Sequence, residues 1–212
     1  MIATVGSALA IGYVCGSLPF GLWLGQWFRG VDVRTLGSGN LGATNVFREL
    51  GPRLGIATMV LDMLKGTLPV LLVSRTALGA SFPGGADAAG IATALAAVLG
   101  HMFTFLAGFR GGKGVATTAG VVLALFPLAW VIAGSVFTVT VMLSRYISLG
   151  SILGALAFAT VVAWTSHGPR AAIQIAFAIL VSGLIIARHH QNVRRLLRGQ
   201  EPRISWRGTR SA

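Results

Sequence analysis

The run Phe109-Arg110-Gly111-Gly112-Lys113-Gly114-Val115-Ala116-Thr117 lies between two long apolar stretches. Glycines without side chains let backbone N–H groups converge on an anion, and the helix start that follows adds positive potential. The spacing differs from a nucleotide P-loop. Ala107 stands where the leading glycine is required, and Gly114 replaces the Ser or Thr whose hydroxyl would hold Mg. Two readings fit the loop alone: an anion site, or an interfacial turn whose Lys113 meets lipid phosphates.

A second polar segment, 37–51, carries Ser38, Asn40, Thr44, Asn45 and Arg48 among glycines. A helix starting near Thr44 puts Thr44 and Arg48 on one face. Such residues bind a substrate or satisfy their own turn backbone. In the tail, His189, Asn192 and Arg195 or Arg194 recur at three-residue spacing, as expected on a helix continuing out of the last apolar segment. A juxtamembrane basic anchor is the other account, and it suffices for Arg198, Arg203, Arg207 and Arg210. Arg145-Tyr146-Ile147-Ser148-Leu149-Gly150-Ser151 adds two hydroxyls, Ser148 and Ser151, able to donate to a phosphate. Asp62 and Lys65 sit about one turn apart and deep in an apolar segment, as a structural ion pair or as functional groups.

The elements that position these residues must be membrane helices. Hydrophobic residues make up 54% of the 212, charged residues 10%, and mean hydropathy is +0.78, too apolar for a single soluble core. Net charge is +12, yet the basic residues are scattered between apolar segments without the basic face that grips nucleic acid. Cys15 is alone, which excludes a disulfide within the chain and Cys-based metal sites, and the four histidines are dispersed, so neither metal nor cofactor is expected. The N-terminal apolar stretch lacks a basic leader and reads as a retained first span.

Apolar runs predict one all-α membrane-embedded domain over 1–212, with spans at about 5–27, 54–74, 88–107, 115–128, 129–144, 150–166 and 171–187. The stretch 115–143 is charge-free with Pro127 near its middle, and charge asymmetry resolves it. Seven spans put fourteen basic residues on one side against two, whereas six put seven against nine. The positive-inside rule therefore favours seven spans, N-terminus outside and C-terminus cytoplasmic. Segments 37–51, 108–118 and 188–201 then all face the cytoplasm. Glycines within the spans, such as Gly12, Gly16, Gly21 and Gly25, suit close helix packing. An anion transporter would instead show related halves meeting near the midplane, and a purely structural lipid-binding protein would leave Asn40, Asn45, His189 and Asn192 without a task.

Three motifs together resemble the acyl-phosphate-dependent glycerol-3-phosphate acyltransferases of bacterial membranes, the PlsY family. They are Ser38-Gly39-Asn40…Gly42-Ala43-Thr44-Asn45…Arg48…Gly51, then Gly100-His101…Phe109…Gly111-Gly112-Lys113-Gly114-Val115-Ala116-Thr117, then His189…Asn192…Arg195-Leu196-Leu197…Gly199…Glu201. Asp62…Lys65-Gly66 and Arg145-Tyr146…Ser148 also fit, so the resemblance spans the chain. It implies transfer of a fatty acyl group from acyl phosphate to the 1-hydroxyl of glycerol 3-phosphate, giving lysophosphatidic acid and phosphate, the first acylation of bacterial phospholipid synthesis. It also implies an inner-membrane protein with seven spans, a cytoplasmic site and no nucleotide or metal.

On that resemblance, Gly111, Gly112 and Gly114 hold the acyl phosphate, while Lys113, Arg48, Ser38, His189 and Asn192 carry the catalytic work on glycerol 3-phosphate. Thr117, Asn40, Thr44, Asn45, His101, Ser148, Ser151 and Arg195 complete substrate binding. His101 and His189 are candidate bases, substrate phosphate being the alternative, and His101 can equally order the glycine loop. Acyl phosphate is an activated donor, so orientation and oxyanion stabilisation suffice. The competing signature, His with Asp five positions later, is absent: Leu106, Ala172, Arg194 and Arg195 occupy those places.

Overall fold

The computed structural model describes residues 1–204, so Arg207 and Arg210 of the basic tail lie outside the described residues. Within the described part every regular element is helical. Six segments are long and apolar enough to cross a membrane, and a seventh, shorter helix is apolar too. The chain divides into two compact units, Met1–Leu125 and a second beginning at Phe126.

The first unit contains α1 (Ile2–Gly16), α2 (Phe20–Arg29), α3 (Ala43–Leu50), α4 (Pro52–Ser74), α5 (Ala77–Ala80), α6 (Gly85–Met102) and α7 (Val115–Leu125). The first span is broken at Ser17-Leu18-Pro19, because Pro19 supplies no N–H to the helix ladder. Carbonyls released by the break need donors in an apolar setting, and distant side chains provide them. Thr104 Oγ1 donates to Ser17 O at 2.5 Å and Lys65 Nζ to Leu18 O at 2.7 Å.

Glycine decides the packing. Built Cβ atoms would stand 2.4 Å from Thr93 O at Gly12, 2.1 Å from Ala97 O at Gly16 and 2.3 Å from Tyr13 O at Gly100, so α1 and α6 touch backbone to backbone. The same holds where Gly66 meets Thr117 O and Gly120 meets Met63 O, joining α4 to α7. Without a hydrophobic drive between helices in lipid, such close approach supplies the association. Gly21 and Gly25 likewise admit Leu41 and the 31–33 segment.

The second unit contains α8 (Pro127–Ser144), α9 (Ile147–Thr165), α10 (Ala171–Arg188) and α11 (His190–Leu197). The fourth-to-fifth break falls at Phe126, with Pro127 at the first helical position where its missing N–H costs nothing. Gly150 lets α9 approach Phe137 and Val141 of α8. Phe126, Phe158 and Phe177 pack their rings 6.0 to 6.4 Å apart, and Ser182 Oγ donates to Ala155 O between α9 and α10. The tail helix does not continue α10 as the spacing predicted: the chain turns at His189, and α11 starts afresh.

Candidate active site

The first unit holds a buried charged cluster at the helix break. Asp62 is 1% exposed and Lys65 6%, one turn apart on α4. Lys65 Nζ meets Asp62 Oδ1 at 2.7 Å, and its charge also lies 5.7 Å from the Phe20 ring centre. Asp62 Oδ1 also stands 3.8 Å from His101 Nδ1, near the end of α6. Charge at this depth is retained only when paired, and here the ammonium pairs with the carboxylate while the imidazole stands beside the same oxygen. Asp62, Lys65, His101, Thr104 and Gly112 line one small pocket.

The glycine loop is seated on the same helix end. Gly111 N–H donates to Met102 O at 3.2 Å and Gly112 N–H to His101 O at 3.1 Å. Two of the N–H groups expected to cradle an anion therefore close the last carbonyls of α6. A Cβ on Gly111 would lie 1.9 Å from His101 O, and one on Gly112 2.1 Å from His101 Nε2. Glycine is needed here for close approach. Gly114, at φ +84°, turns the chain into α7, whose first N–H groups have no carbonyl within the helix. Lys113 is half-buried at this turn. Thr117 is fully buried and faces Gly66, its hydroxyl without a hydrogen-bond partner among the described residues.

The 37–51 segment is organised around Asn45. Its Oδ1 accepts from Ser38 N and Ser38 Oγ at 3.0 and 3.1 Å, while its Nδ2 donates to Val33 O and Leu36 O at 3.2 Å each. Asn40 Oδ1 accepts from Gly42 N–H at 2.9 Å, an ordinary Asx turn. Asn45 and Asn40 thus shape the turn that presents Ser38, which is exposed. α3 begins at Ala43, so Thr44 and Arg48 share a face as the spacing predicted, both half-buried.

In the second unit the structure shows what the sequence left unassigned. Glu201 is 5% exposed and accepts from Ser148 Oγ and Asn192 Nδ2 at Oε1 and from Arg195 Nε at Oε2, each at 2.7 Å. Three residues expected to contact substrate are gathered on one carboxylate. Ser151 Oγ donates to Ile147 O inside α9. His189 is buried, and its Nδ1 lies 2.8 Å from Ile185 O. A carbonyl only accepts, so Nδ1 carries hydrogen and Nε2 is the nitrogen able to take a proton. Ile204 N–H and Arg203 Nε tie the tail to Arg145 O and the Tyr146 hydroxyl.

Burial pushes the Glu201 carboxyl up, but the hydrogen bonds from Ser148, Asn192 and Arg195, with the Arg195 charge, outweigh it and hold it below the usual range. A lowered folded-state value adds stability above the unfolded Glu value of about 4.3, and that stability is lost as pH falls through the folded value. The protection of residues 199–204 against hydrogen exchange, taken relative to the intrinsic rate at each pH, is therefore expected to fall as pH drops through the lowered Glu201 value, and Glu201→Gln to abolish that pH dependence. Equal protection at about pH 3 and pH 7 in the native chain would contradict the cradle.

A family model described as glycerol-3-phosphate acyltransferase matches residues 7–199. The chain belongs to that family. The glycerol-3-phosphate acyltransferase of Listeria monocytogenes serovar 1/2a is 43% identical over 196 residues, covering 92% of this chain and 94% of its own. That of Geobacter sulfurreducens is 44% identical over 195 residues, covering 92% and 95%. The crystal structure of PlsY (YgiH), an integral membrane glycerol 3-phosphate acyltransferase, in its glycerol 3-phosphate form superposes with TM-score 0.84 at 37% identity, covering 95% of this chain and 96% of that one. The lysophosphatidic acid form gives 0.81 at 36%, covering 95% of each. The family resemblance and the all-helical membrane fold expected from the sequence both hold. As a member of the glycerol-3-phosphate acyltransferase family, the chain is an integral membrane acyltransferase of phospholipid synthesis.

Among the residues that matter in this family member, Thr104 was missed and Glu201 had no role. Thr104 looks like any polar residue near a helix end, and its task depends on a carbonyl 87 positions away. Asp62 and Lys65 carried a signal, charge inside an apolar run one turn apart, that suggested each to the other but neither His101 nor Leu18 O.

Proposed function

We propose that the chain transfers a fatty acyl group from acyl phosphate to the 1-hydroxyl of glycerol 3-phosphate, at the cytoplasmic face of a bacterial inner membrane. The observation that carries the acceptor is the close likeness, over nearly the whole chain, to a solved relative in its glycerol 3-phosphate form. The donor is supported by the missing His-x4-Asp signature and by a cationic glycine loop suited to phosphate. The charge split supports the orientation, and a cytoplasm-active reporter fused at Ala212 that stayed silent would overturn it.

In this reading the acceptor hydroxyl oxygen attacks the acyl carbonyl carbon, the carbonyl–phosphate C–O bond breaks, and phosphate leaves with the bonding electrons. The hydroxyl proton goes to His189 Nε2 or to a phosphate oxygen. Gly111, Gly112 and Gly114 form the donor loop with Lys113, and Arg48, Ser38 and His189 serve the acceptor phosphate and hydroxyl. Asn192, Ser148 and Arg195 act through Glu201. His101 is disfavoured as the base because its ring lies between Asp62 and Gly112.

Purified protein in detergent, given acyl phosphate and glycerol 3-phosphate, is expected to release phosphate and lysophosphatidic acid in equal amounts and to ignore acyl-CoA. Turnover with acyl-CoA alone would overturn the donor. His189→Gln is expected to lower kcat about 100-fold, the scale of a lost general base. An unchanged kcat assigns the proton to substrate phosphate.

A further inference from the structure

Asp62 does more than neutralise a lysine. Its Oδ1 bonds Lys65 Nζ at 2.7 Å and faces His101 Nδ1 at 3.8 Å, a contact longer than a hydrogen bond, while its Oδ2, buried in the pocket wall, has no hydrogen-bond partner among the described residues. The imidazole it faces is 5% exposed and stands at the end of α6, where the glycine loop is hung. Gly112 is packed so tightly on this ring that an added Cβ would sit 2.1 Å from Nε2, and Gly112 N–H is bonded to the carbonyl of the same histidine. Carboxylate, ring and loop form one continuous stack. One buried side chain, the His101 ring, therefore separates Asp62 from the loop.

We propose that Asp62 is a positioning residue of the acyl transfer: it holds the His101 ring in place, and the ring sets the conformation of the 111–114 loop that receives the acyl donor. This rests on the reading of 111–114 as the donor loop. Lys65 has a separate task on the other side, since it also bonds Leu18 O at the helix break. An ion pair serving the fold alone needs Asp62 and Lys65. It does not need an imidazole beside the same oxygen, nor a loop built against that imidazole.

The test is a double-mutant cycle on the full chain in detergent, with Asp62→Asn, His101→Gln and the double variant. KM for the acyl donor, KM for glycerol 3-phosphate, kcat and the melting temperature are read for each. Each single substitution is expected to raise donor KM roughly tenfold, as expected of a small misplacement of a binding loop. The double variant is expected to be no worse than the worse single, because both act along one path. Melting will fall in Asp62→Asn, but donor KM, read well below the melting temperature, must move while glycerol 3-phosphate KM stays within about twofold.

Increments that multiply in the double variant would overturn the proposal, as would a lowered melting temperature with unchanged donor KM or a shift confined to glycerol 3-phosphate KM. Should Asp62→Asn not fold, Asp62→Glu takes its place in the cycle, retaining the charge while displacing the carboxylate from the ring. The cycle is run with whichever acyl donor the native chain turns over. A wrong donor class thus shows in the native protein, and a wrong role for Asp62 shows only in the variants.

Discussion

Gly111→Ala is expected to lower kcat/KM about 100-fold, the cost of displacing a binding loop by the order of an ångström. The added Cβ would fall 1.9 Å from His101 O, and that oxygen belongs to backbone already bonded to Gly112 N–H, so the helix end cannot yield. The loop must move instead. Steady-state kinetics with both substrates measures the loss, and Gly134→Ala supplies the control, since a Cβ there meets nothing within 4 Å. The control is expected to match the native rate within about twofold. Native-like activity in Gly111→Ala would show that close seating of the loop on α6 is unimportant.

Lys65→Met is expected to give the largest stability loss, about 3 to 5 kcal/mol, because it strands the Asp62 charge in a buried site. It also removes the side-chain donor to Leu18 O, leaving that carbonyl only the Phe20 N–H at 3.1 Å. For a chain of this size that corresponds to a melting temperature lower by roughly 10 °C. Asp62→Asn combined with Lys65→Met is expected to recover part of the loss, since the stranded charge is gone while the bond from Lys65 to Leu18 O is not restored. Thermal melts in detergent distinguish the two contributions. A single variant as stable as the native chain would mean that the pair sits in water.

The bilayer explains why so much of the architecture is legible in one dimension. Inside hydrocarbon, each segment must satisfy its backbone within itself, so apolar runs become helices and their number follows from length and composition. Pro127 marked its break because a residue without an N–H belongs at a helix start. Gly12 and Gly16 were legible as packing positions because small residues are what let two helices meet in lipid. The three polar motifs stood out because glycine, amide and basic side chains are rare among such runs.

Partner choice was a different matter. Sequence spacing suggested Asp62 with Lys65, one turn apart, but nothing in it pointed to His101 or to Leu18 O, 47 positions from Lys65. Pro19 was visible, yet the break it causes was hidden within an apolar run because the donors that make it tolerable, Thr104 and Lys65, lie far along the chain. Asn45 and Glu201 read as substrate-facing or unassigned until the folded chain showed them holding a turn and a cluster. Periodicity reports which side of a helix is apolar. It carries no information about which distant carbonyl or carboxylate a polar group meets, and in a buried setting that meeting decides whether a residue builds the site or acts in it.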